Sequence, residues 1–231
     1  MAPRALVLLP DRDHGPGDYT GAFRVEADRL LHHYRLPSSA AVQVDISRDD
    51  GARARQVLAA IEEAGQAGPL ELLAFICHGT RRGLQLARLA QLPGLAARIA
   101  SSAAPGVAIA FYACSLGGGV DGPAGAGGDG GPADFLRDTL SRCVGVDGQP
   151  FVDFHVDAHT TAGHCCSNPY VRRFSGRLGG DVGGAWLVEP GSALWPAWMR
   201  ELEDRHRSTL RLRYPLMTIA ELHEELRRGP G

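Results

Sequence analysis

Short apolar runs alternate with amphipathic segments along most of this chain. Ala5 to Leu9, Ala41 to Ile46, Leu70 to Cys77 and Val107 to Ala113 are apolar enough to be strands. Between them, Ala22 to Tyr34 repeats apolar residues near helical spacing through Phe23, Ala27, Leu30, Leu31 and Tyr34. Ala52 to Ala64 is rich in Ala, Leu and Glu, with Asp49 or Asp50 placed to cap it and Gly65 and Gly68 to stop it. Leu86 to Ala100 reads as a third helix, interrupted near Pro93-Gly94. The two inner runs are apolar on successive residues, as a parallel sheet with helices over both faces requires. Strands alternating with helices predict an α/β fold, a three-layer α/β/α sandwich on a mostly parallel sheet.

After the fourth run the pattern loosens. Gly117 to Pro132 is glycine-rich and reads as loop. Ala133 to Cys143 is predicted as a helix, Phe151 to Val156 as a fifth strand and Ala158 to Gly184 as polar, Gly-rich loops. Glu201 to Arg213 reads as a charged helix, Pro215 breaks it, and Thr218 to Glu221 spells a capping box that opens a last helix. Residues 1–184 thus read as one α/β domain, and residues 185–231 as a helical appendage packed on it.

Composition narrows the chemistry. The 231 residues are 44% hydrophobic and 22% charged with a net charge of −2, which suits a globular core and offers no electrostatic case for nucleic acid or an anionic membrane. No apolar run approaches the ~20 residues of a transmembrane helix, and the first strand is too short for a signal-peptide core, so a cytoplasmic protein is expected. All 24 basic residues are arginine. The lack of lysine removes phosphate-loop lysines, Schiff bases and Ser-Lys dyads. Five cysteines without an export signal predict free thiols.

Two strand ends carry the candidate chemistry: Phe75-Ile76-Cys77-His78-Gly79 and Tyr112-Ala113-Cys114-Ser115. Functional groups of open α/β sheets gather where parallel strands end. A thiol and an imidazole there make an activated nucleophile. Gly79 allows close backbone approach, and the amides of Gly79 and Cys114 are candidate oxyanion donors. Cys77 and Cys143 read as inert packing. His155, His159, His164, Cys165 and Cys166 are zinc-type ligands, but they show no CxxC and no HxxxH on a plausible helix, so no metal is expected.

An apolar strand ending in His-Gly, followed by one ending in Ala-Cys, resembles the caspase-like cysteine peptidases: caspases, metacaspases, legumain, separase and the bacterial CHAT-domain proteases. The specific part spans residues 72–115, and the C-terminal 45 or so residues match no part of the family pattern. The resemblance implies a cysteine endopeptidase with Cys114 as nucleophile, His78 as general acid and base, a protein or peptide substrate and no cofactor, and it leaves room for a regulatory protein partner. By the same resemblance the specificity pocket draws on residues after strands one and five: Asp11, Arg12, Asp13 and His14, and Asp157, His159 and Thr160. Asp13 or Asp157 at its base would select a basic residue before the cut, and Arg12 an acidic one; the preponderance of acids leans basic. The alternative is a catalytically silent caspase-like binding or scaffold module.

Overall fold

A computed structural model describes residues 2–12, 21–118, 130–178, 183–204 and 207–229. Its strands are β1 (Ala5–Pro10), β2 (Ala41–Val44), β3 (Leu70–Ile76), β4 (Gly79–Thr80), β5 (Gly83–Leu84), β6 (Ala103–Tyr112), β7 (Phe154–His159), β8 (Val171–Ser175) and β9 (Ala185–Trp186). Seven of them form one sheet in the order β2-β1-β3-β6-β7-β8-β9, and β4 and β5 form a separate hairpin. Neighbours from β2 through β7 run parallel, while β8 and β9 are antiparallel.

The helices are α1 (Ala22–Tyr34), α2 (Asp50–Gln66), α3 (Leu92–Ala100), α4 (Gly131–Leu140), α5 (Trp195–Glu203), α6 (Leu210–Arg213) and α7 (Ile219–Arg228). Their starts follow local chemistry. Asp49 accepts the Ala52 amide at 2.8 Å to open α2. Thr218 and Glu221 exchange side-chain to backbone bonds at the start of α7, so the capping box is real.

Strand alternation divides the core into two clusters. Leu6, Leu8, Leu73, Phe75, Ile109, Phe111, Val156 and Phe174 face α2, α3 and α4. Val7, Leu9, Leu72, Ala74, Ile76, Ala108, Ala110 and Tyr112 face α1 and the C-terminal helices. The small Ala74, Ala108 and Ala110 leave depth on that second face, and the fully buried Trp198 shares their cluster.

Four expectations need correction. The segment 86–100 is not one helix: it leaves β5, makes a 3₁₀ turn over Leu89–Gln91 and becomes helical at Leu92, with Pro93 in the first turn. Gly83 has φ +119° and a Cβ there would lie 2.8 Å from the Leu89 nitrogen, so glycine permits this reversal. The fifth strand begins at Phe154, three residues late, and therefore includes Asp157 and His159. The supposed loops of 158–184 contain β8, an interior strand of the sheet. Residues 185–231 contribute β9 to the sheet and Leu210, Leu212, Tyr214, Leu222 and Leu226 to the second core, so they complete a layer rather than decorate one.

A buried polar stripe fastens that layer. Arg173 grips Asp157 through two bonds of 2.7 Å, with the carboxylate side chain 0% exposed. The same guanidinium donates to the carbonyls of Tyr214 at 2.9 Å and Met217 at 2.5 Å. His155 Nε2 lies 2.8 Å from the Pro215 carbonyl, and Glu26 of α1 pairs with Arg211 of α6, both buried.

Candidate active site

His78 and Cys114 stand just beyond the carboxyl ends of β3 and β6. The parallel register pairs Ile76 with Tyr112, and two further residues on each strand lead to His78 and Cys114. Alternation sends both side chains to the face of Ile76 and Tyr112. Consistent with that, the His78 ring meets Phe23 of α1 edge-to-face at 4.8 Å. His78 is exposed and Cys114 partly exposed.

Each residue is held by its own device. The His78 backbone is clamped at both ends by Gln85, whose Oε1 accepts the His78 N–H at 3.3 Å and whose N–H donates to the His78 carbonyl at 2.9 Å. After Cys114 the chain turns at once: Ser115 has φ 58°, a left-handed conformation that costs a non-glycine residue about 1–2 kcal/mol. Bonds from Ser115 N to Thr161 O (3.2 Å) and from Gly117 N to His159 O (2.9 Å) hold the turn against the end of β7. Gly117 and Gly118 belong to this packing, since a Cβ on either would fall 2.6 Å from the Ala158 oxygen or 2.8 Å from the Thr160 oxygen. The Cys114 thiol donates to the Gly163 carbonyl at 3.4 Å.

Gly79 joins the two halves. A Cβ there would lie 2.5 Å from the Cys114 oxygen and 3.0 Å from its nitrogen, so only glycine lets the His78 turn rest on the Cys114 backbone. The two amides named as oxyanion donors therefore belong to adjoining backbone. Gly79→Ala is expected to lower stability by about 1–3 kcal/mol, the usual range for overpacking, and to move the hairpin off Cys114. An unchanged urea midpoint would show that the contact relaxes freely.

The residues expected to form a specificity pocket fare differently. Asp13 and His14 lie outside the described residues. Asp11 is bound to the Ile46 amide at 3.1 Å and to Arg12 at 3.2 Å, tying β1 to the chain after β2. Asp157 is engaged by Arg173 beneath the C-terminal layer, so a substrate arginine would have to displace Arg173 to reach it. His159 is 2% exposed; burial pushes its pKa down to about 4, so the ring is neutral and its Nε2–H donates to the Cys165 carbonyl at 2.8 Å. These three form internal bonds, and the structure does not present Asp157 or His159 as a pocket floor.

All five thiols are free. Burial drives Cys77 up to about 12, leaving it an inert core thiol. Cys165 is lowered to about 6 by the Cys166 thiol and His164, yet it is only 7% exposed and sealed from a substrate chain. Among the described residues no group of three His, Cys, Asp or Glu side chains is placed to hold a metal ion. No described helix is long and apolar enough to cross a membrane. Two cavities, about 920 and 500 Å³, open among α1 and α5–α7, and neither is lined by His78 or Cys114.

Compared with protein-family models, curated proteins and solved structures, the chain matches none significantly. The roles of Gln85, Phe23 and Gly163 at this site escaped the sequence reading. Gln85 acts through a hairpin pairing with His78, and Phe23 and Gly163 through contacts from distant segments, none of which leaves a spacing signature.

Proposed function

We propose that this protein is a cysteine endopeptidase of the caspase-like kind, acting on protein or peptide chains. The observation that supports this reading is the β3–β6 register, which pairs Ile76 with Tyr112, two residues before His78 and Cys114. His78 takes the Cys114 thiol proton as Sγ attacks the scissile carbonyl carbon, and the oxygen takes up negative charge near the Gly79 and Cys114 amides, donors that contribute about 2.7–4 kcal/mol each in acyl transfer. The C–N bond breaks as His78 gives its proton to the leaving amine. Water then attacks the thioester carbonyl as His78 accepts its proton, the C–S bond breaks to release the carboxylic acid, and His78 returns the proton to sulfur, restoring the thiol.

A basic residue before the cut rested on Asp11, Asp13 and Asp157. With Asp11 and Asp157 engaged internally, that preference stands on Asp13 alone. The test is hydrolysis of fluorescence-quenched peptides carrying Arg, Lys or Asp before the cut, by wild type and Cys114→Ala. Wild type should hydrolyse at least one and the variant none; equal turnover by both ends the peptidase reading.

One observation favours the second reading, a silent binding module: the Cys114 thiol spends its hydrogen bond on the Gly163 carbonyl. Iodoacetamide separates the two. A poised thiol reacts faster at neutral pH than a free cysteine, and a silent one does not.

A further inference from the structure

We propose that Arg81 and Arg82 make the approach to Cys114 electropositive and select acidic side chains on the part of the substrate that follows the cut. This deepens the peptidase reading and rests on it for the word substrate; the positive field at Cys114 does not depend on it.

The two arginines are the turn residues of the β4-β5 hairpin, between the paired Thr80 and Gly83. Both are exposed. The hairpin is rooted at His78 and pinned on Cys114 through Gly79, so its tip is fixed relative to the thiol. Leu89 N donates to the Arg82 carbonyl at 3.2 Å and Arg82 N to the Thr80 hydroxyl at 3.1 Å, which anchor the turn while leaving both guanidinium groups outward.

Among the described residues, the other charges at this end of the sheet are paired or capped. Asp11 lies 3.2 Å from Arg12, Asp45 lies 3.0 Å from Arg48, and Asp50 is shared between Arg53 and Arg88. The Asp49 carboxylate caps α2. Among the described residues no carboxylate is within ion-pair distance of Arg81 or Arg82. Neutralised pairs cast little field beyond a few ångströms, so among the described residues these two cations dominate the local potential.

Direction follows from the chemistry. His78 serves the leaving amine, so the chain after the cut passes His78 and then the hairpin that grows from it. Three residues of extended chain, at about 3.3 Å each, separate His78 from Arg81. A bound strand advances at the same pitch, which puts Arg81 and Arg82 opposite the third and fourth residues after the cut. Guanidinium groups take carboxylates bidentately, so Asp or Glu is the fitting side chain there.

The test needs two measurements on the full chain. In the first, Cys114 is alkylated with anionic iodoacetate and neutral iodoacetamide at low salt, with modification at Cys114 read by mass spectrometry in wild type and R81E/R82E. Reversing both charges should lower the iodoacetate-to-iodoacetamide rate ratio about tenfold, and added salt should shrink the difference. An unchanged ratio overturns the proposal. In the second, the quenched peptide that wild type hydrolyses fastest is remade with Glu, Gln or Lys at the third and fourth positions after the cut. Wild type should prefer Glu over Lys about tenfold and R81E/R82E should reverse the order; equal rates overturn the substrate assignment. A shifted alkylation ratio with no peptide hydrolysed would instead remove the peptidase reading and leave an anion-attracting thiol.

Discussion

A chain cut after Asp204 is expected to lose cooperative unfolding and near-ultraviolet circular dichroism. The cut removes Leu210, Leu212, Tyr214, Leu222 and Leu226, all at most 5% exposed. Burying such side chains stabilises by about 1.5–3 kcal/mol each, so the set is worth ~10 kcal/mol as an upper estimate. Whole domains are stable by about 5–15 kcal/mol, so little would remain. The cut also strips Glu26 of Arg211 and Arg173 of two carbonyl acceptors. A shortened chain that unfolds in urea at the full-length midpoint would show that residues 205–231 are an appendage after all.

Arg173→Leu is expected to destabilise by about 3–5 kcal/mol, the range for breaking a buried ion pair and stranding one charge. Asp157 would be left desolvated beneath the C-terminal layer, and the carbonyls of Tyr214 and Met217 would lose their donor. Removing both charges, as Asp157→Leu/Arg173→Leu, should recover part of that loss, because no lone charge remains buried. Urea midpoints of the two variants make the comparison. A double variant less stable than Arg173→Leu would mean that the pair's packing, not its charge balance, is what the fold needs.

The parts legible in sequence and the parts that were not differ in where their burial comes from. β3 and β6 announce themselves because both faces are covered and nearly every residue is apolar, so the polar residues that end them stand out. That is why His78 and Cys114 could be read directly. β7 and β8 carry His155, Asp157, His159 and Arg173 at inward positions, a pattern that looks like exposed loop. His155 and Arg173 reach the carbonyls of Pro215, Tyr214 and Met217, roughly 40–60 residues on, and no local window contains both partners. The hairpin after His78 was masked by leucines at helical spacing, while the deciding signal, the left-handed Gly83, looks like any other glycine in a sequence. For the same reason two of the acids that suggested a basic preference, Asp11 and Asp157, proved to be structural cement.

The sulfur and the imidazole sit on strands bonded directly to each other, so their separation is inherited from the ladder between β3 and β6. A ladder inside a seven-stranded sheet does not stretch on demand. Whatever switches such a centre on or off must work by veiling or unveiling it from above, since prising the two groups apart would mean unzipping the middle of the molecule.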